Sequence, residues 1–321
     1  IFIGFSPQFL QAYTDSAAFF FGTFIFYVGY YLVIAKSYTI KLTLSIALGI
    51  ILGLSYGFRA PLLIYAISGV IVLVYQFLQI KNHNFAKNFT LAGVTILSFV
   101  AINSLSQFTL HQQYVVPFEE GKSRTMLYFV DLGLTSTGAA HAELSEEVLN
   151  AAGAERNQIF IQSIKQRVAK MGLSDWKHHL DKKLYFISAE GLMGWQVENV
   201  LHEENMISNR FSNTSIAQKL RSLILVNFSD FYRYSVVFQI LWIVIILGMI
   251  LYSIFFPDFK NSLNLWVQIT IFGGILFLMI FEGGRSRYLI QFLPAILWNS
   301  SIGYERMLQI IKNVKKQNKR I

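Results

Sequence analysis

Three groups of charged residues stand at the edges of apolar runs, where an ionisable side chain is costly to bury and is a candidate for function. Asp15, in Tyr13-Thr14-Asp15, directly precedes an uncharged run. A carboxylate there suits a helix N-cap, whose dipole end favours negative charge; facing a polar cavity, it suits a general base or a holder of a polar substrate. Arg59 lies between Gly57 and Pro61 on a tight turn. Its planar guanidinium can meet a phosphate bidentately, and snorkelling to a lipid headgroup is the plainer alternative. The third group is Phe281-Glu282-Gly283-Gly284-Arg285-Ser286-Arg287-Tyr288. Two glycines allow a break between helices and close backbone approach, while one carboxylate and two guanidiniums meet within a few residues. That set reads either as an internally neutralised pair or as an anion site for a phosphorylated lipid, with Arg285 and Arg287 on the phosphate and Glu282 orienting them.

Other chemistry is less well provided for. Five histidines, His111, His141, His178, His179 and His202, fall between residues 109 and 234 without the His-Glu-x-x-His spacing of a metalloprotease. His202-Glu203-Glu204 could touch a divalent ion, although a solvated acidic face accounts for it as well; no other cofactor is indicated. Trp195 could stack on a sugar, or fill a core. Neither a phosphate-binding glycine loop nor a Gly-x-Ser-x-Gly elbow occurs. With no cysteine, thiolate metal sites and disulfides are excluded.

The elements that must carry these residues follow from composition. The chain is 54% hydrophobic and 14% charged, against about 25% charged residues in a soluble domain, and its mean hydropathy is +0.46. Uncharged apolar runs at 17–35, 42–58, 62–80, 89–108, 236–256, 265–281 and 288–304 each approach the ~20 residues that cross the hydrocarbon core as helix. The expectation is an all-α polytopic membrane protein of about seven transmembrane helices with one mostly helical insert. It divides into a four-span block at 1–108, an insert at 109–234, a three-span block at 235–304 and a basic tail at 305–321.

Net charge is +9, but residues 109–234 hold 13 Lys/Arg against 14 Asp/Glu, so the excess belongs to the membrane flanks rather than to a nucleic-acid surface. Lys312, Lys315, Lys316, Lys319 and Arg320 follow the last run, and placing that tail in the cytoplasm obeys the positive-inside bias. Counting back through seven spans then puts Lys36, Lys41, Lys81, Lys87 and Lys260 inside as well. Asp15, Arg59, the insert and 282–287 fall together on the outer face of the cell membrane.

Within the insert, Phe160, Ile164, Val168 and Met171 share one helical face, and so do Trp176, Leu180, Leu184 and Ile187 after a Ser174 cap. These two amphipathic helices would form a small core or lie on the bilayer surface.

Taken in order, Tyr13-Thr14-Asp15, Leu52-Gly53-Leu54-Ser55-Tyr56-Gly57-Phe58-Arg59-Ala60-Pro61, Glu282 to Leu289 and Phe292-Leu293-Pro294 resemble membrane glycosyltransferases of the protein-mannosyltransferase and aminoarabinose-transferase superfamily. Lys182-Lys183-Leu184, Ala189-Glu190-Gly191 and Trp195 to Glu198 are similar to the Gram-positive, cell-surface-building type. The resemblance implies transfer of a sugar from a polyprenyl phosphate to an envelope glycan, lipid or protein at the outer face. It also implies a leading acidic residue in an outer loop before the position that Asp15 matches. No such loop precedes Asp15, and Ile1 opens the sequence without a leader pattern, so the expectation is an N-terminally incomplete chain lacking part of the active site. A surface-polysaccharide polymerase or ligase, taking an oligosaccharide carrier, is the neighbouring alternative. A lipid or solute transporter would need charged or broken helices near the midplane, and these spans have uncharged interiors.

Overall fold

Within lipid, a helix satisfies every backbone N–H and C=O inside its own segment, and the apolar runs fold accordingly. The computed structural model describes residues 14–80, 85–115, 121, 124–138, 140–193, 209–255, 261–281 and 285–318; among them there is helix and no strand. The first block is α1 (Thr14–Ile34), α2 (Tyr38–Tyr56), α3 (Leu63–Ile80) and α4 (Phe85–Gln112). The insert contributes α5 (Met126–Gly133), α6 (Glu146–Leu149), α7 (Arg156–Lys170), α8 (Leu173–Ser188) and α9 (Ser215–Ile224). The chain returns as α10 (Phe231–Phe255), α11 (Ser262–Phe281) and α12 (Leu293–Asn318).

Among the described residues, six helices are long and apolar enough to cross a membrane: α1, α2, α3, α4, α10 and α11. The seventh apolar run, 288–304, is divided. Its first residues belong to a 3-10 segment, Ser286–Phe292, and the rest opens α12. That half of α12 buries Leu293, Ala295, Ile296, Asn299 and Ser300, whereas Glu305, Lys312, Lys315 and Lys316 are exposed.

Small residues let the helices meet backbone to backbone, as membrane helix pairs require. Gly49 and Gly53 of α2 lie against Thr95, Ser98 and Ile102 of α4, and Gly248 of α10 faces Ser300 and Gly303 of α12, with no room for a Cβ at any of these glycines. The central core gathers Ile25, Tyr65, Trp266, Leu278 and Phe292. Within it the Trp266 indole donates to Tyr65 O at 2.8 Å and stacks on Phe26 with centroids 5.5 Å apart.

The insert helices α7 and α8 fold where expected. Of the expected α7 face only Phe160 is fully buried, joining Tyr128, Leu132, Leu144 and Val148 in a separate small core, while Val168 is 41% exposed. The α8 stripe is rotated from the expected one. Leu184 is 41% exposed, while His179, Lys183 and Ile187 are buried. The cause is electrostatic: the Lys183 ammonium donates to Gly133 O at 3.0 Å, at the C-terminal end of α5, where the helix dipole favours a cation. Nor does Ser174 cap α8. Gly172 holds the N-cap position, and its N–H donates to Asp175 Oδ2 at 3.0 Å. Arg167 of α7 ties the insert together, bonding Asp131 Oδ1 at 2.9 Å and Glu143 O at 2.6 Å.

Burial holds His179 below its ordinary 6.5, with the neighbouring Lys183 charge adding to the effect. Burial, then Arg124 and Arg285, does the same to His141. The unfolded chain therefore takes up protons that the folded insert refuses. Stability is full above about pH 6.5 and falls as pH drops from there through the folded-state values. Hydrogen-exchange protection of α5 and α8, corrected for intrinsic rate, should decline as pH falls below about 6.5. His179→Gln should flatten that decline, and unchanged protection below that pH would contradict the assignment.

Candidate functional site

The turn after α2 positions Arg59. Arg59 N–H still donates to Ser55 O at 2.9 Å, but its own backbone is extended, at φ −152° and ψ 97°. Pro61, with its fixed φ, then sets the 3-10 turn Ala60–Leu62. The extended residue sends its side chain back to the start of α1. Arg59 Nη2 meets Asp15 Oδ1 at 2.5 Å and Nε donates to Thr14 Oγ1 at 3.1 Å. Asp15 is 2% exposed. Its carboxylate is spent on guanidiniums rather than on capping α1.

The second guanidinium comes from the 3-10 segment Ser286–Phe292. Gly22 on α1 admits the backbone of that segment, since a Cβ there would stand 2.5 Å from Gln291 O. The Tyr65 hydroxyl donates to the same Gln291 O at 3.0 Å. Held from both sides, the segment buries Arg287 with Nε 3.8 Å from Asp15 Oδ2. Tyr288 supplies an aromatic face to both cations, with Arg59 Cζ 4.8 Å and Arg287 Cζ 5.2 Å from its ring centroid. Such contacts contribute roughly 0.5–2 kcal/mol each.

Among the described residues, one carboxylate here faces two guanidiniums at a nearly water-free spot. Arg59 uses its Nε–H and one Nη2 proton on Thr14 and Asp15, leaving about three of the five donors of a guanidinium for an anion. Arg285 is extended and half-buried just before the segment, close enough for its charge to act on His141 of the insert. Of the residues expected from sequence, Asp15 thus meets both Arg59 and Arg287, and Arg285 lies two residues from Arg287. Glu282 and Trp195 lie outside the described residues, as does His202-Glu203-Glu204. Among the described residues, no group of three or more His, Asp or Glu could hold a metal ion.

A second carboxylate reaches the same end of the bundle. Ser286 Oγ donates to Glu190 Oε2 at 3.4 Å. Glu190 sits in Ala189-Glu190-Gly191, after α8, and α10 clamps that stretch. Gln239 Nε2 donates to Ala189 O at 2.9 Å, Gly191 N–H donates to Gln239 Oε1 at 2.9 Å, and the Trp242 indole donates to Ser188 O at 2.6 Å. Gly191 has to be glycine here, because a Cβ would fall 2.5 Å from Phe238 O. Sequence reasoning gave Glu190 no role. A signal was present: Gln239 is an amide inside the apolar stretch Phe231–Phe255, and such a group needs a polar partner at membrane depth.

A family model described as a conserved hypothetical integral membrane protein matches residues 1–308, and the chain belongs to that family. No curated protein and no solved structure matches the chain.

Proposed function

We propose that this integral membrane protein is a glycosyltransferase that moves a sugar from a polyprenyl-phosphate donor to a cell-envelope glycan, lipid or protein at the outer face of the cell membrane. The observation that carries the reading is the meeting of Asp15, Arg59 and Arg287 from three distant segments. A phosphate-linked sugar needs cations on its phosphate and a carboxylate near the acceptor. In this reading Arg59 and Arg287, with Arg285 beside them, bind the donor phosphate. Asp15 takes or orients the acceptor proton. The acceptor oxygen attacks the anomeric carbon, the bond from that carbon to the phosphate oxygen breaks, and polyprenyl phosphate leaves with the bonding electrons. Guanidiniums preorganised around the developing negative charge favour that step. Because Asp15 and an arriving phosphate compete for the same guanidiniums, donor binding also loosens the carboxylate for its task. Glu282 remains the proposed orienting residue and Trp195 the proposed sugar platform.

Donor binding tests the phosphate role. Arg287→Gln in purified protein should weaken binding of a polyprenyl-phosphate sugar about tenfold or more, the usual effect of losing a charge-assisted bond. Parental affinity in that variant would leave Arg287 as half of a structural ion pair. Carriers bearing one sugar or several, tested side by side, separate a monosaccharide transferase from a polymerase or ligase.

The orientation rests on charge. Lys36, Lys41 and Lys87 gather at the other end of the bundle, and the exposed Lys312, Lys315 and Lys316 end α12. Positive-inside bias puts lysines in the cytoplasm. In this cysteine-free chain, cysteine at Ser145 should react with an impermeant reagent on intact cells, and cysteine at Ser262 should not. The reverse pattern would invert the proposal.

A further inference from the structure

At the end of the bundle away from Asp15, α1, α2, α3, α4 and α11 enclose a cavity of about 500 Å³. Its size falls within the ~300–1,000 Å³ of ligand-binding cavities. Its walls are apolar, with Leu32, Leu48, Leu73 and Leu91 among them. Deep in it, polar groups are satisfied within the protein: Gln76 bonds Ser262, the Trp266 indole bonds Tyr65 O, and the Thr95 hydroxyl bonds Leu91 O. The depth of the cavity therefore suits a hydrocarbon occupant.

Its rim is of the opposite character. Lys36, Lys41 and Lys87 line it, and no acidic side chain does among the described residues. Lys41 and Lys87 stand in the first turns of α2 and α4, neither of which has an acid there. A helix N-terminus is already the positive end of its dipole, so lysine adds charge where acids are favoured. The mouth thus joins two helix N-termini to three ammonium groups, an arrangement that attracts phosphate. Between α3 and α4 the wall is thin: α4 packs chiefly on α2, and Leu91 is its one fully buried hydrophobic residue among those described.

We propose that the cavity holds an acyl chain of an anionic membrane glycerophospholipid, with the headgroup phosphate bound by Lys36, Lys41 and Lys87. The lipid would act as a structural wedge, joining the α2–α4 pair to α1, α3 and α11. Neither half of the site suits the other candidates: a soluble phosphate has no use for the apolar walls, and a zwitterionic lipid offers no net charge to three lysines. The inference is independent of the proposed sugar transfer and of membrane orientation.

The test uses the whole protein, purified in detergent, with dioleoyl phosphatidylglycerol, dioleoyl phosphatidylcholine and water-soluble glycerol phosphate as probes. Native mass spectrometry should show one phosphatidylglycerol retained, and its addition should raise the thermal midpoint more than phosphatidylcholine does. Lys36→Gln and Lys87→Gln, at exposed positions, should each weaken retention about fivefold. Ala92→Phe, which fills the cavity from α4, should abolish it, and Gly69→Leu provides the same test from α3 if the first variant fails to fold. Equal retention of phosphatidylcholine would overturn the proposal, as would binding of glycerol phosphate as tight as that of the lipid. Retention unchanged in a folded cavity-filling variant would do the same, reducing the lysines to surface contacts. Displacement of phosphatidylglycerol by an equimolar polyprenyl phosphate would overturn it in favour of the isoprenoid.

Discussion

Replacing Asp15 by Asn should destabilise the protein by about 3–5 kcal/mol, the cost of breaking a buried ion pair from one side. Asp15 and Arg59 have side chains 3% and 11% exposed, so solvent cannot screen what remains. The Asn amide keeps the shape, but leaves Arg59 and Arg287 facing each other without the carboxylate between them. A helix-capping role would give a different result, since Asn caps nearly as well as Asp. The double variant Asp15→Asn/Arg59→Gln removes one charge of each sign. It no longer leaves the Arg59 charge buried without its carboxylate, and should recover part of the lost stability. Thermal unfolding of the parental protein, the two single variants and the double variant measures the coupling. Additive single effects would show that the two side chains do not act as a pair.

Gly22→Ala should be the most damaging change that leaves every charge in place. The added Cβ would meet Gln291 O at 2.5 Å, and the obstacle is backbone that Tyr65 also holds. Something must move, and the backbone that a Cβ would strike belongs to the 3-10 segment carrying Arg287 and Tyr288. Overpacking of this kind costs about 1–3 kcal/mol. The larger effect falls on the site, where a displacement of about 1 Å can cost a hundredfold in rate. The matched control is Gly93→Ala in α4, where a Cβ meets nothing within 4 Å and alanine is the better helix former. Gly93→Ala should be neutral or slightly stabilising. Parental activity and stability in Gly22→Ala would mean that close approach of α1 to the segment does not position Arg287.

Much of this architecture is legible in the chain because membrane helices announce themselves by length and apolar content. The spans at 17–35, 42–58 and 265–281 lie within α1, α2 and α11 apart from residues at their ends. The convergence of Asp15, Arg59 and Arg287 was legible only as a shared membrane end, reached by counting spans. Which side chain touches which depends on an extended backbone at Arg59 and on glycine contacts between segments hundreds of residues apart, and neither has a period. The 288–304 run misled because its hydropathy is continuous, while Pro294 can open a helix but not sit within its interior, so the helix begins at Leu293. The α8 stripe misled for a related reason. Counting apolar residues ranks Leu184 above Lys183, yet a lysine beneath the C-terminus of α5 is satisfied by a carbonyl, and Leu184 has no such partner.

Glu190 shows where local reading stops. Ala189-Glu190-Gly191 stands in the chain as a pattern, but the place of Glu190 at the site depends on Gln239, about fifty residues away on another helix.

Sugar transfer itself tests the functional reading most directly. Membranes containing equal amounts of parental protein and of Asp15→Asn/Arg59→Gln are supplied with a panel of labelled monosaccharides on polyprenyl phosphate. The label reaching envelope acceptors is then counted. Parental membranes should transfer one of these sugars and release polyprenyl phosphate in equal amount. The double variant should transfer about 10²–10⁴-fold less, the range expected for loss of a general base. Transfer by the double variant at the parental rate, or no transfer by parental membranes above membranes lacking the protein, would contradict the assignment of sugar transfer to this site.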